Sequence, residues 1–276
     1  MTRPLPTHHP KIRVEVDGHV VTVTLDNEAA KNACDGDMWV AIGATFRDIA
    51  FSGARAVVLT GANGAFCAGA DLSGLAGGGG GGGGTTDDGA PPETMVAAMR
   101  VLAGSVLAIH ECPVPVIAKV DGLCVGAGLG LALAADLLWC SDRARFSAIF
   151  AKRGLSLDFG SSWLLRQRLP VHVAKELCFT GRMVPADEAL SIGLVNAVVP
   201  ADGLDAAVAE LVATVAGGPP VALSMTKRQL DGAPSSSLAQ ALEVEALAQS
   251  VNVRTEDLRE ALIAYVERRP PTFHGR

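Results

Sequence analysis

The hydrophobic pattern changes period along the chain, and each change marks an element. Residues 12–16 and 19–25 are β-rich runs joined by Asp17-Gly18, the signature of a hairpin. Met38, Ile42, Phe46 and Ile49 then recur at helical spacing. Residues 55–60 (RAVVLT) and 115–120 (PVIAKV) read as buried strands, each running into a glycine-rich turn. Between them Met95, Met99, Leu102, Val106 and Ile109 predict an amphipathic helix, stopped at Cys112-Pro113 because proline cannot continue it. Short strands follow at 137–140 and 196–199. From about residue 203 the pattern is helical throughout, over 204–215, 221–230, 237–250 and 255–267. Strands interleaved with helices, then a helical tail, predict an α/β fold with a core over 1–200 and a helical C-terminal domain over 201–276. No internal sequence repeat is visible. Residues 77–84 are an unbroken run of glycines, which suits neither helix nor paired strand; the expectation is a mobile loop.

Composition narrows the function classes. With 49% hydrophobic residues the chain can bury a substantial core. Lys+Arg 23 against Asp+Glu 29 gives a net charge of −6, which argues against nucleic acid as a partner, since phosphate binding needs a basic surface. The six cysteines form no CxxC and no Cys/His cluster, so no metal is expected and the thiols read as reduced core residues. The longest uncharged apolar run, 123–135, is shorter than the ~20 residues of a membrane span, and residues 1–10 carry no apolar stretch. These features predict a cytoplasmic protein with no membrane partner.

Two glycine-bearing loops are the candidate chemistry. Gly126-Ala-Gly-Leu-Gly130 fits the dinucleotide fingerprint poorly: its last glycine comes one residue early, and 121–125 separates it from the preceding strand. No GxxxxGK[ST] phosphate loop is present. The segments 66–71 (FCAGAD) and 122–130 each follow a buried strand and lead toward a helix. Such loops aim backbone N–H groups at a developing negative charge. By spacing alone, their small residues equally suit tight packing of helix on sheet.

LTGANGAFCAGADL, CPVPVIAKVDGLCVGAGLGLALAAD, ELCFTGRMVPADEALSIGLVNAVVP and the C-terminal EDLREALIAYVERRPPTFHGR together resemble the crotonase family, the enoyl-CoA hydratase/isomerase enzymes. The resemblance runs from the first hairpin to the last ten residues. It implies a spiral of ββα turns with a helical C-terminal trimerisation domain, assembled as a homotrimer or homohexamer. It also implies an acyl-CoA substrate, with no cofactor beyond the coenzyme A that the substrate carries. The thioester oxygen would sit between the backbone N–H groups of Ala70 and Ala127. Ala127 stands where the family commonly has glycine, so its N–H serves only if its backbone angles suit a residue with Cβ. Lys31 and Lys227 match positions where a basic residue approaches the CoA phosphates, and Ala68 joins them on the coenzyme side; solvated surface lysines are the plainer alternative.

The carboxylates bear on the reaction. The two glutamates that the family's hydratases use match Gly130 and Phe150, and neither residue can transfer a proton. Asp158, in GLSLDFGSSWLL, lies where isomerase branches carry an acid. A double-bond shift needs only one base, and apolar Leu155, Leu157, Phe159 and Trp163 would raise its pKa. Asp158 otherwise reads as a cap on a helix starting near Ser161. Two other functions stay open: an acyl-CoA-binding protein without turnover, and a dehalogenase- or hydrolase-like enzyme with Asp158 as nucleophile. His110, Asp71 and Asp136 read as structural, and Cys67 and Cys124 as small apolar fillers.

Overall fold

The computed structural model describes residues 2–71 and 94–276. The glycine run at 77–84 lies outside them. The hairpin β1 (Ile12–Asp17) and β2 (Val20–Leu25) pairs in full register around Asp17-Gly18 and opens a six-stranded sheet. Helix α1 (Gly36–Ile49) is capped by Asp35, whose carboxylate accepts the Met38 N–H at 2.9 Å. Strands β3 (Ala56–Gly61), β5 (Val116–Val120), β7 (Leu137–Ser141) and β10 (Ala197–Val199) extend the sheet in parallel, in the order β1-β2-β3-β5-β7-β10.

After a short turn each of β3, β5 and β7 is followed by a strand of a second sheet. These are β4 (Ala65–Cys67), β6 (Leu123–Val125) and β8 (Arg145–Ser147), joined by β9 (Val184–Pro185) in the order β4-β6-β8-β9. Helix α2 (Met95–His110) comes after β4, and α3 (Ala127–Ala134) directly after β6. This repeated ββα turn is the spiral that the resemblance implies, although nothing in the sequence repeats. Packing constrains only which positions are apolar, and many sequences satisfy that.

Strand β3 shows how the layers form. Val57 and Leu59 face the main core with Trp39, Phe46 and Ile109. Ala56 and Val58 face the other way, onto Leu204, Val208 and Val212 of α7 (Leu204–Ala216), which follows α4 (Ser161–Arg168), α5 (Val171–Thr180) and α6 (Ala186–Ser191). Helices α8 (Pro220–Gly232), α9 (Leu238–Asn252) and α10 (Glu256–Glu267) follow; α9 and α10 leave Leu238, Leu247, Leu262 and Tyr265 exposed. Among the described residues no single helix is long and apolar enough to cross a membrane.

Candidate active site

Strands β4 and β6 lie side by side and run parallel, with Cys67 level with Cys124, so the loops leaving them meet. The meeting is backbone on backbone. Gly69 has φ +100°, and a Cβ built on it would stand 2.9 Å from the Val125 carbonyl and 3.6 Å from the Ala127 nitrogen. No side chain fits between the loops. Cys34 and Ala70 form an isolated parallel bridge in which the Cys34 N–H donates to Gly69 O and the Asp71 N–H donates to Cys34 O. Strand geometry then turns the Ala70 N–H away from Cys34.

Ala127 opens α3, where the first N–H groups have no carbonyl a turn earlier to meet. The Leu129 and Gly130 N–H groups turn back onto Gly126 O at 3.0 and 3.2 Å. The unusual backbone angle falls on Gly126, at φ +58°, and Ala127 itself is helical. A Cβ at 127 is therefore no obstacle to its N–H.

Asn32, which sequence reasoning passed over, fastens this arrangement. It is fully buried, accepts the Asn27 N–H at 2.8 Å and donates to Ala62 O and Ala65 O at 2.9 and 2.7 Å. One side chain thereby ties the segment that carries Cys34 to the entry of β4. Its only sequence signal is an amide among alanines in AAKNAC. Beneath the loops, Cys34 and Cys67 approach within 4.0 Å, and burial raises the pKa of Cys34 and Cys124 well above the ordinary thiol value.

Asp158 opens a tight turn. Its carbonyl accepts the Ser161 N–H at 3.0 Å, across Phe159 and Gly160 at φ +45° and +72°. The capping role is corrected here. Gly160 is the N-cap of α4 and no side chain caps that end, so the Asp158 carboxyl is free of the helix. Its Oδ1 is buried with no hydrogen-bond partner among the described residues, and burial pushes its pKa up to about 6. The apolar neighbours divide: Phe159 is buried against Trp39 at a ring separation of 4.4 Å, whereas Leu155 and Trp163 are about half exposed.

The same turn closes the Gly130 position. A Cβ at Gly130 would stand 2.4 Å from Phe159 O and 2.9 Å from Phe159 Cβ. Phe150 is likewise packed into the core. The first place is closed to a carboxylate, and a buried apolar ring occupies the second.

A family model described as "Enoyl-CoA hydratase/isomerase" matches residues 15–276. The chain belongs to the enoyl-CoA hydratase/isomerase family. It is 32% identical over 265 residues to a Rhodobacter capsulatus protein named probable enoyl-CoA hydratase, covering 96% of this chain and 98% of that one. It is 29% identical over 268 residues to the Arabidopsis thaliana peroxisomal Delta(3,5)-Delta(2,4)-dienoyl-CoA isomerase, covering 95% of each. Among solved structures, an enoyl-CoA hydratase from Polaromonas sp. JS666 superimposes with a TM-score of 0.85 at 29% identity, over 95% of this chain and 99% of that one. A Thermobifida fusca YX structure in complex with acetoacetyl-CoA gives 0.77 at 31% identity, over 88% and 94%.

Of the residues expected on the coenzyme side, the fold of this family member brings two together. Lys31 is exposed and its carbonyl accepts the Ala68 N–H at 3.1 Å, beside the Ala70 loop. Lys227 lies elsewhere, and the expectation is corrected. Its ammonium is buried 2.9 Å from Asp136, which follows the far end of α3, about 12 Å along the helix from Ala127. A paired, buried lysine at that end cannot serve a phosphate beside Ala68. Asp136 also accepts the Val116 N–H, so it is structural. His110 closes α2 edge-on to Trp163, at 5.4 Å between ring centres. Among the described residues no group of His, Cys, Asp or Glu is placed to hold a metal.

Proposed function

We propose that this protein acts on an acyl-CoA thioester and moves a carbon–carbon double bond, with Asp158 as the single base. One observation carries the reading: the acid on the turn against α3 has a buried carboxyl oxygen with no partner among the described residues, while Phe159 blocks the Gly130 position and Phe150 itself stands at the other hydratase position. The thioester oxygen would lie between the N–H groups of Ala70 and Ala127, with the α3 N-terminus adding its positive end. Asp158 then takes a proton from C2 of a 3-enoyl thioester. The electron pair delocalises over C1 to C4 onto the thioester oxygen, and the same carboxyl returns the proton at C4. The double bond passes from C3–C4 to C2–C3, and nothing is gained or lost. The acetoacetyl-CoA complex of the Thermobifida relative supports a thioester ligand.

A panel of 3-enoyl, 2-enoyl and 3,5-dienoyl thioesters, followed by mass spectrometry in deuterated water, tests this. The expected result is isomerisation with little 3-hydroxyacyl product. Hydration at an enzyme-like rate, on the order of 1–10³ s⁻¹, would overturn it. An acyl-CoA binder without turnover remains the second reading, favoured by the missing glutamates. It predicts no exchange of α-protons in a bound saturated acyl-CoA.

The exposed leucines of α8, α9 and α10 (Leu230, Leu242, Leu247 and Leu262 among them) support assembly into a homotrimer or homohexamer through these helices. Light scattering at micromolar concentration is expected to show no monomer.

A further inference from the structure

Ser161 is fully buried, and its hydroxyl has no partner among the described residues. The other serines buried to this degree are all engaged. Ser52 and Ser105 donate to carbonyls a turn earlier, Ser141 to Asp121 and Ser147 to Gly181 O. Ser161 sits at the first position of α4, where there is no preceding helical carbonyl to accept its proton. Asp158 Oδ1 is the other idle atom of the same turn. The backbone bond from Ser161 N–H to Asp158 O holds the two residues at the ends of one tight turn, with Cα atoms within about 7 Å. A buried donor and a buried acceptor left idle on one turn destabilise a fold unless a third group meets them.

We propose that Ser161 is a positioning residue for Asp158: its hydroxyl and Asp158 Oδ1 hold one water molecule between them, which fixes the plane of the carboxyl and stabilises its ionised form. Two polar partners suffice for such a water. Among the described residues, the elements packed on the turn bring no competing charge to the carboxyl. α1 meets the turn through Trp39, α2 through Val106, α3 through Gly130 and α4 through Leu164. Burial accounts for the raised pKa of Asp158, and His110 of α2 packs edge-on against Trp163. The turn itself is strained at Phe159, whose positive φ is costly for a side chain with Cβ. That conformation is what keeps Asp158 off the helix end, where an ordinary cap would have used it.

The catalytic consequence rests on the reading of Asp158 as base, but the test does not. The Asp158 carboxyl is titrated by carbon-13 NMR in the unliganded protein, its signal assigned by loss in Asp158→Asn. In Ser161→Ala the pKa of Asp158 is expected to rise by about half to one unit, a three- to tenfold larger ratio of protonated to ionised acid at a given pH. Ser161→Thr keeps the hydroxyl and is expected to keep the wild-type value. The acid limb of α-proton exchange should move with the titration while KM stays constant. An Asp158 pKa unchanged in Ser161→Ala, or moved equally by Ala and Thr, overturns the proposal. If the wild-type protein shows no exchange at all, the isomerase reading falls and the titration still judges Ser161.

Discussion

Asp136 and Asp158 flank the same short helix and are both pushed above the usual carboxylate range by burial, yet they are equipped in opposite ways. Asp136 accepts from Lys227 at 2.9 Å and from the Val116 N–H at 2.7 Å, and Lys227 pulls its pKa back down. Among the described residues Asp158 has no charged neighbour, and one of its oxygens has no partner. A buried acid whose lone pairs are occupied locks elements together. One left idle near its working pH is poised to exchange a proton.

The largest expected effect is on turnover. Asp158→Asn should abolish isomerisation and α-proton exchange, by ~10²–10⁴-fold or more, with acyl-CoA affinity nearly unchanged. Near-wild-type turnover would leave the base unidentified. The reaction needs the ionised acid, so kcat/KM should fall as pH drops through about 6. Stability runs the other way. The folded pKa exceeds the ordinary 3.8, so the folded state binds more protons, and stability is lost as pH rises from about 4 through about 6. At pH 8 Asp158→Asn should therefore unfold later than wild type, by on the order of 1 kcal/mol once solvent screening of this half-buried group is allowed for, and the advantage should vanish near pH 4.

Lys227→Met gives the matching result at the other end of α3. Removing one partner strands a buried carboxylate and should cost about 3 kcal/mol in denaturant unfolding. Thioester affinity of the folded protein should not change. Lost affinity with intact stability would return Lys227 to the coenzyme. The smallest effect falls between the two acids: Gly130→Ala should destabilise by roughly 1–3 kcal/mol, because its Cβ meets the Phe159 backbone. A neutral alanine would show that the Asp158 turn can move, and that the hydratase position is not closed.

The two glycine-bearing loops that meet were legible in FCAGAD and in the 122–130 segment, because close backbone approach leaves a mark in residue size. Asn32 and Ser161 were not, since a polar residue among small ones says nothing of what it meets. Lys227 misled for the same reason: its motif matches a coenzyme position, and only packing revealed Asp136 as its partner. The helix-cap reading of Asp158 failed at Phe159 and Gly160, whose left-handed angles carry the carboxyl past the helix end.

The sequence by itself determined the strands of the first sheet and the longer helices in their order, the α/β class, and the absence of glutamates at 130 and 150; the short strands of the second sheet it left as loops. Hydrophobic period, turn residues and residue identity are local properties, readable along the chain. Which of its buried polar atoms have partners was decided only by the tertiary structure. Asp136 with Lys227, Asn32 with Ala62 and Ala65, and the idle Asp158 and Ser161 depend on groups up to 91 residues apart or on the backbone angles of one turn. Hydrogen bonding acts over about 3 Å, and at that scale neighbours in space are set by the fold and not by order in the chain.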